Sequence, residues 1–178
     1  MASIIKNRAV VDDAWQIVRA GEDGALPTPA ELPAGPVLVP FAYWQAERDA
    51  LVAAKGKDEL GVWLAPDSEP ADAVADFDKI SVIAVDFPRF GDGRGYSTAH
   101  LLRKRYGWTG ELRAIGDVLR DQLNYMSRCG FDAFAVRADR DPHDALNAFS
   151  EFSERYQGAV DDAVPLFRRR AAAEQVGA

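Results

Sequence analysis

The fold is decided by one run of residues, Ile80-Ser-Val-Ile-Ala-Val-Asp-Phe-Pro-Arg-Phe-Gly-Asp-Gly-Arg-Gly-Tyr-Ser97. β-Branched side chains dominate its first six residues, which predicts a strand over 80–85. Asp86 follows that strand, and three glycines then lead into residues 98–106, whose pattern predicts a helix. A near-continuous apolar strand of this kind is typical of a parallel sheet that is buried on both faces.

The same alternation of strand and helix repeats along the chain. Strands are predicted at 37–39, 60–64, 80–85, 111–115 and 132–136, and helices at 43–55, 71–77, 98–106, 117–129 and from Asp141 onward, with Ala145, Phe149, Phe152 and Tyr156 on one face. This succession predicts an α/β fold with a mainly parallel sheet of about five strands. An open sheet and part of an α/β barrel both fit the pattern. Both place the functional edge at the C-terminal ends of the strands, which here carry Phe41, Pro66, Asp86, Asp117 and Arg137.

Other parts of the chain lie outside these units. Ile4-Ile5 and Val10-Val11 flank the polar Lys6-Asn-Arg8, which predicts an N-terminal hairpin at an edge of the sheet or over one end. Proline and glycine mark a loop near 21–36. We predict that residues 1–160 form a single α/β domain and that 161–178 form a tail, partly helical or frayed.

Composition restricts the location and the partners of the protein. The chain has 178 residues, 48% of them hydrophobic, and a formal net charge of −7. This charge disfavours nucleic acid and membrane surfaces as partners. No apolar run reaches the roughly 20 residues of a membrane helix, and the N-terminus lacks the apolar stretch of a secretory signal. The only cysteine, Cys129, excludes an internal disulfide, so we expect a cytoplasmic location.

The glycine-rich loop, Phe90-Gly-Asp-Gly-Arg-Gly-Tyr-Ser97, is a candidate anion site. Glycine lets backbone N–H groups turn toward an anion, and a helix that begins at Ser97 as N-cap would add a favourable dipole. The candidate ligand residues for phosphate, sulfate or sulfite are Arg89, Gly93, Arg94, Gly95, Ser97 and Arg113. The spacing fits neither a P-loop nor a dinucleotide-binding motif. The alternative is a structural turn held together by Asp92 and Arg94.

Three aspartates are the candidate catalytic residues: Asp86, Asp117 and Asp121. They could converge as an acid–base or metal cluster, because two of them begin at neighbouring strand ends. The alternative is that Asp117 caps the helix 117–129 and that Asp121 pairs with Arg113, Arg94 or Arg128. One cysteine and two histidines are too few for haem, an iron–sulfur cluster or structural zinc. The sequence therefore indicates no metal site and no cofactor.

Several motifs, in this order, resemble a known bacterial family. Beyond residues 86–97 they are Leu101-Leu-Arg103, Gly110-Glu-Leu-Arg-Ala114, Gly116-Asp-Val118, Asp121-Gln-Leu123 and Arg128-Cys-Gly-Phe-Asp-Ala-Phe134. The sequence resembles the family labelled domain of unknown function 934, often described as an oxidoreductase involved in sulfite reduction. The resemblance spans residues 4 to 157, and its specific motifs lie within 86–137.

This resemblance implies a function by association, because genes of the family tend to lie beside those of the sulfite reductase haem subunit and of sulfate assimilation. We therefore expect an accessory protein of assimilatory sulfite reduction and cysteine biosynthesis that acts with the haem subunit. One alternative is a small-molecule enzyme of sulfur assimilation with an anion pocket at the strand C-termini. Another is an oxidoreductase with an unrecognised flavin or nicotinamide site. The family supplies no catalytic residues to carry over.

Overall fold

The computed structural model describes residues 2–176 of the chain. Its strands are β1 (Ala2–Lys6), β2 (Ala9–Asp13), β3 (Gln16–Ile17), β4 (Val37–Pro40), β5 (Leu60–Leu64), β6 (Val82–Phe87), β7 (Glu111–Gly116) and β8 (Ala133–Phe134). Its α-helices are α1 (Phe41–Ala54), α2 (Arg94–Lys104), α3 (Arg120–Cys129), α4 (Pro142–Ala145) and α5 (Leu166–Val176). Short 3₁₀ segments include Pro70–Asp76 and Leu146–Ser150. Within residues 2–176, every helix is too short or too polar to cross a membrane.

The strands form one sheet in the order β2-β1-β8-β7-β6-β5-β4-β3. Strands β3 to β8 are parallel to one another, whereas β1 pairs antiparallel with β2 and β8. The mainly parallel α/β fold is therefore confirmed, as is the hairpin, in which Asn7 and Arg8 adopt the positive φ angles of a tight turn. The predicted number of about five strands is too low, since the hairpin and the two-residue β3 join the same sheet.

The sheet curls strongly. Strands β2 and β3 stand at opposite ends of the strand order, yet only Ala14 and Trp15 separate them in sequence. Three Cα–Cα steps span at most about 11 Å, so the two edges must approach each other at this point. Of the two architectures that fit the sequence, the structure is therefore the barrel-like one.

The two faces of the curled sheet are packed differently. The convex face carries the helices and the larger core, in which Trp44, Leu102 and Met126 pack on strand residues such as Val62 and Val85. The concave face has a small apolar cluster of Leu38, Val82, Ala84 and Ile115, with Trp15 and Trp63 packed against it. Because side chains alternate along each strand, every second residue of β6 and β7 faces this concave side.

Two helices begin at different residues from those predicted. Helix α2 starts at Arg94 rather than after Ser97, because Gly95 allows its first turn to pack on β6; a Cβ atom there would lie 2.6 Å from the Phe87 ring. Helix α3 starts at Arg120, and Asp117 is not its cap. Instead, the Gln122 side chain accepts a hydrogen bond from the backbone of Leu119 at 2.9 Å.

The helix predicted from Asp141 is much shorter in the structure. Asp141 caps it as expected, because its carboxylate accepts from the backbone N–H of His143 at 2.8 Å. The α-helical part nevertheless ends at Ala145, and a 3₁₀ turn continues to Ser150. Phe149 packs on Phe134 of β8, but Phe152 and Tyr156 are exposed, so the predicted four-residue face is wrong beyond 149. The tail beyond 161 includes α5.

Candidate functional site at the carboxyl edge of the sheet

The C-terminal ends of β4 to β8 meet at one edge of the curled sheet, here called the carboxyl edge. It carries Phe41, Pro66, Asp86, Asp117 and Arg137, as the order of strands and loops predicts. Barrel-like α/β proteins place their functional residues at this edge, because the loops after the strands are free to vary there. The carboxyl edge is therefore the candidate site.

Asp86 is held by an arginine that the sequence did not reveal. The Arg19 guanidinium donates to the two Asp86 carboxylate oxygens at 2.7 and 3.4 Å, and the Asp86 side chain is only 9% exposed. Arg19 also lies over the Trp63 ring, 4.8 Å from its centroid. The Trp63 indole N–H in turn donates to the carbonyl oxygen of Val18 at 3.0 Å. Arg19 was missed because it follows β3, which is too short to predict; the only signal is its position after Ile17-Val18.

The glycine-rich loop contains its own carboxylate where an anion was predicted. Asp92 accepts from the Arg94 backbone N–H at 3.2 Å and from the Arg94 guanidinium at 3.0 and 2.7 Å. These bonds from Arg94 hold the pKa of Asp92 below its usual range. One N–H of the first turn of α2 is thus already bound to a carboxylate, which is the structural role considered for Asp92 and Arg94.

The other predicted anion ligands are dispersed. Gly93 has an α-helical backbone conformation, Gly95 is buried against β6, and Ser97 is exposed within α2. Arg89 is exposed, and its guanidinium forms no hydrogen bond or ion pair within the described part of the chain. Anion binding at the glycine-rich loop therefore stays a prediction.

Arg113 lies apart from that loop. Its side chain is 2% exposed on the concave face, and its guanidinium lies 2.9 Å from Asp13 and 2.7 Å from Glu111. A buried arginine in a strand was expected to need a partner, and it has two. The predicted partner, Asp121, is not one of them, because Asp121 lies in the first turn of α3 and is exposed.

Asp117 connects the glycine-rich loop to the strand ends. One of its carboxylate oxygens accepts from the Phe90 backbone N–H at 2.9 Å, and the other from the Arg137 guanidinium at 2.8 Å. Hydrogen bonds to Asp139 and then to Asp117 raise the pKa of Arg137. Gly116 makes this arrangement possible, since its φ of +94° lets the Asp117 N–H reach the Phe87 carbonyl at 2.7 Å. Asp117, which follows β7, therefore joins the loop after β6 to the loop after β8. This arrangement is called the Asp117 clamp.

The three candidate catalytic aspartates have different surroundings. Asp86 bonds to Arg19 and Asp117 to Arg137, whereas Asp121 lines a cavity of about 470 Å³. That cavity is rich in charge and is lined in addition by Leu119, Arg120, Asp139, Arg140, Asp141, Asp144, Ala145 and Glu151. Among residues 2–176, no group of three histidine, cysteine or acidic side chains is placed to hold a metal ion.

The glycine-rich loop, the Asp117 clamp and Arg137 all fall within one family match. The model of a bacterial protein family of unknown function (DUF934) matches residues 61–167. The chain belongs to this family. In this DUF934 protein the matched residues run from β5 into α5, so they include most of the carboxyl edge but not Arg19 or Phe41. No curated protein and no solved structure matches the chain.

Proposed function

We propose that this DUF934 protein is an accessory protein of assimilatory sulfite reduction that docks on the sulfite reductase haem subunit. One observation carries the docking role: three carboxylates of the carboxyl edge, those of Asp86, Asp92 and Asp117, are bonded to arginines. The edge is thus ordered before any partner arrives. The pathway and the partner rest on the family resemblance.

The bonding at the carboxyl edge supports docking over catalysis. A general acid or base must reach the proton of a substrate, and carboxylates such as Asp86 and Asp92, each held by two arginine N–H groups, are poorly placed for that. A surface whose side chains are already fixed loses little conformational entropy when it binds a protein. The exposed guanidinium groups of Arg89 and Arg94 add local positive charge to an acidic chain, which favours one orientation of the partner.

Growth of a deletion strain tests the pathway. A strain without this protein should fail on sulfate or sulfite as the only sulfur source and should recover with sulfide or cysteine. The haem subunit should co-purify with the tagged protein from sulfate-limited cells. Unchanged growth of the deletion strain on sulfate, with no second copy of the gene, would show that the pathway assignment is wrong.

A second candidate function is an enzyme of sulfur assimilation that binds a small anion at the carboxyl edge. It is favoured by Arg89, which is exposed beside the Asp92–Arg94 pair and whose guanidinium has no bonded partner among residues 2–176. Calorimetric titration with sulfite, sulfate and phosphate tests it. Binding that is abolished by Arg94→Ala, with little loss of stability, supports the enzyme; no binding by the native protein leaves docking as the proposal. A flavin spectrum of the purified protein would instead favour an oxidoreductase.

A further inference from the structure

We infer that Phe90 is the residue that docks, by inserting its ring into an apolar pocket bordered by carboxylates on the partner protein. This inference rests on the proposed function, which names the haem subunit as that partner. Phe90 is 50% exposed and lies between Arg89 and the first glycine of the loop. Exposed aromatic surface contributes nothing to folding, since the gain comes only when the ring leaves water.

The backbone of Phe90 is fixed on both sides by side chains from the next strand–helix unit. Its N–H donates to Asp117 at 2.9 Å, and its carbonyl oxygen accepts from the Gln122 amide at 3.3 Å. Asp117 is held in turn by Arg137, and Gln122 is buried and bonded to Leu119. Two polar side chains thus hold the backbone of an exposed phenylalanine in one place, which lowers the backbone entropy lost on binding.

Phe152 provides the contrast, because it is the same residue type and is 61% exposed. It lies beyond the last 3₁₀ turn, where the chain has no regular structure until α5. In the described part of the chain no side chain donates to or accepts from its backbone. Exposure is therefore common to both residues, but fixation by neighbouring side chains distinguishes Phe90.

The charges around Phe90 indicate the chemistry of the partner. The Arg94 side chain is 60% exposed, while its carboxylate partner Asp92 is only 15% exposed, so the guanidinium faces solvent and the carboxylate lies beneath it. Arg89 is exposed as well. Aromatic rings and arginines are the residue types that contribute most to protein interfaces. An apolar pocket with acidic residues at its border complements a phenylalanine flanked by two arginines.

Photo-crosslinking identifies what contacts this residue in the cell. Phe90→benzoylphenylalanine should crosslink to the haem subunit under sulfate limitation, whereas Phe152→benzoylphenylalanine should not. The crosslink at position 90 should disappear when Arg89→Glu is added. Absence of any protein crosslink at position 90 would show that the inference is wrong.

The contribution of the Phe90 ring to affinity is then measured with the purified partner that the crosslink has identified, in the absence of any crosslinker. Phe90→Ala should raise Kd about tenfold or more, which is the range of an interface hot spot, and Phe152→Ala should leave it within about twofold. Neither variant should change the thermal midpoint. Equal binding by Phe90→Ala and the native protein would overturn the inference and leave the docking proposal intact. A crosslink to a different protein, with the tenfold loss seen for that protein, would support the inference and overturn the sulfite reduction assignment.

Discussion

The Arg113 guanidinium on β7 lies 2.9 Å from the Asp13 carboxylate on β2, although β1 and β8 stand between these strands in the sheet. In a flat sheet the two strands would be about 14 Å apart, since neighbours are spaced by about 4.8 Å. Glu111 bonds to the other side of the guanidinium, and the Trp15 ring lies 5.9 Å away. This cluster bridges the concave face and depends on the curl of the sheet.

We expect Arg113→Ala to be strongly destabilising. It leaves the half-buried carboxylates of Asp13 and Glu111 without their common buried cation, although Glu111 keeps its ion pair with Lys6. Breaking a buried ion pair on one side costs on the order of 3–5 kcal/mol. Arg94→Ala is the matched control, because it removes an arginine–aspartate pair whose arginine is 60% exposed, and a surface pair of this kind contributes little to stability. Urea denaturation gives both values, and equal losses would contradict a buried cluster.

Gly116→Ala should destabilise the junction between β6 and β7. The φ of +94° disfavours any residue with a Cβ atom, and that atom would collide with the Phe87 carbonyl oxygen. We expect a loss of about 1–3 kcal/mol, the range for a non-glycine residue in a strained conformation. Gly91→Ala is the control, since a Cβ there meets no atom within 4 Å. Thermal unfolding should separate the two; similar midpoints would mean that the Gly116 turn tolerates a side chain.

Asp76 should make the stability depend on acidity. Burial alone would raise the pKa of this fully buried carboxyl, but the hydrogen bonds from Trp44 and Lys79 and the charge of Arg48 outweigh it and lower the pKa. A lowered folded-state pKa contributes stability above the unfolded-state pKa of about 3.9, and that contribution is lost as the pH falls toward the folded-state value. Asp76→Asn should therefore lose about 1.5–3 kcal/mol at pH 7 and less at pH 3.

Denaturation curves between pH 3 and pH 7 measure this effect. Asp78→Asn, two residues along the chain at an exposed position, should follow the native protein at every pH. If the difference between Asp76→Asn and the native protein is the same at both ends of the range, the Asp76 carboxylate does not have this role.

Cys129 should react slowly with thiol reagents. Burial raises the pKa of its thiol, and the hydrogen bond from Tyr125 and the charge of Arg128 only partly offset this. The thiolate is the reactive form, so labelling should be slow at pH 7 and should still increase above pH 9. The control is the double variant Cys129→Ser with Ser97→Cys, which moves the thiol to an exposed position on α2. Equal rates for the two thiols would contradict burial as the cause.

The central strands could be predicted because they are mainly apolar runs followed by helical segments. This holds for β4, β5 and β6, and also for β7, which is apolar except for Glu111 and Arg113. Strand β3 carries no such signal, since it is two residues long and both are exposed. The prediction of a helix over 141–156 was wrong although the sequence carries a signal there. The apolar spacing continues to Tyr156, but the core that such a helix would cover ends at Phe149.

The position of Asp86 and Asp117 at the carboxyl edge could also be predicted, because it follows from the succession of strands. Their bonding partners could not. Arg19 is 67 positions from Asp86 in the chain, and Asp13 is 100 positions from Arg113. Such pairs depend on how strongly the sheet curls, and no local pattern of residues predicts the degree of curl.

The short connection through Ala14 and Trp15 also affects how the protein unfolds. Residues 9–17 pair with β1 near one edge and with β4 at the other, so one segment of the chain ties both edges of the sheet together. In an open sheet the outermost strands can detach singly, whereas here the release of this segment frees both sides at once. The amide protons of β3 and β8, the first and the last of the parallel strands, should therefore exchange with solvent in the same opening event. The two strands would then belong to one cooperative unit.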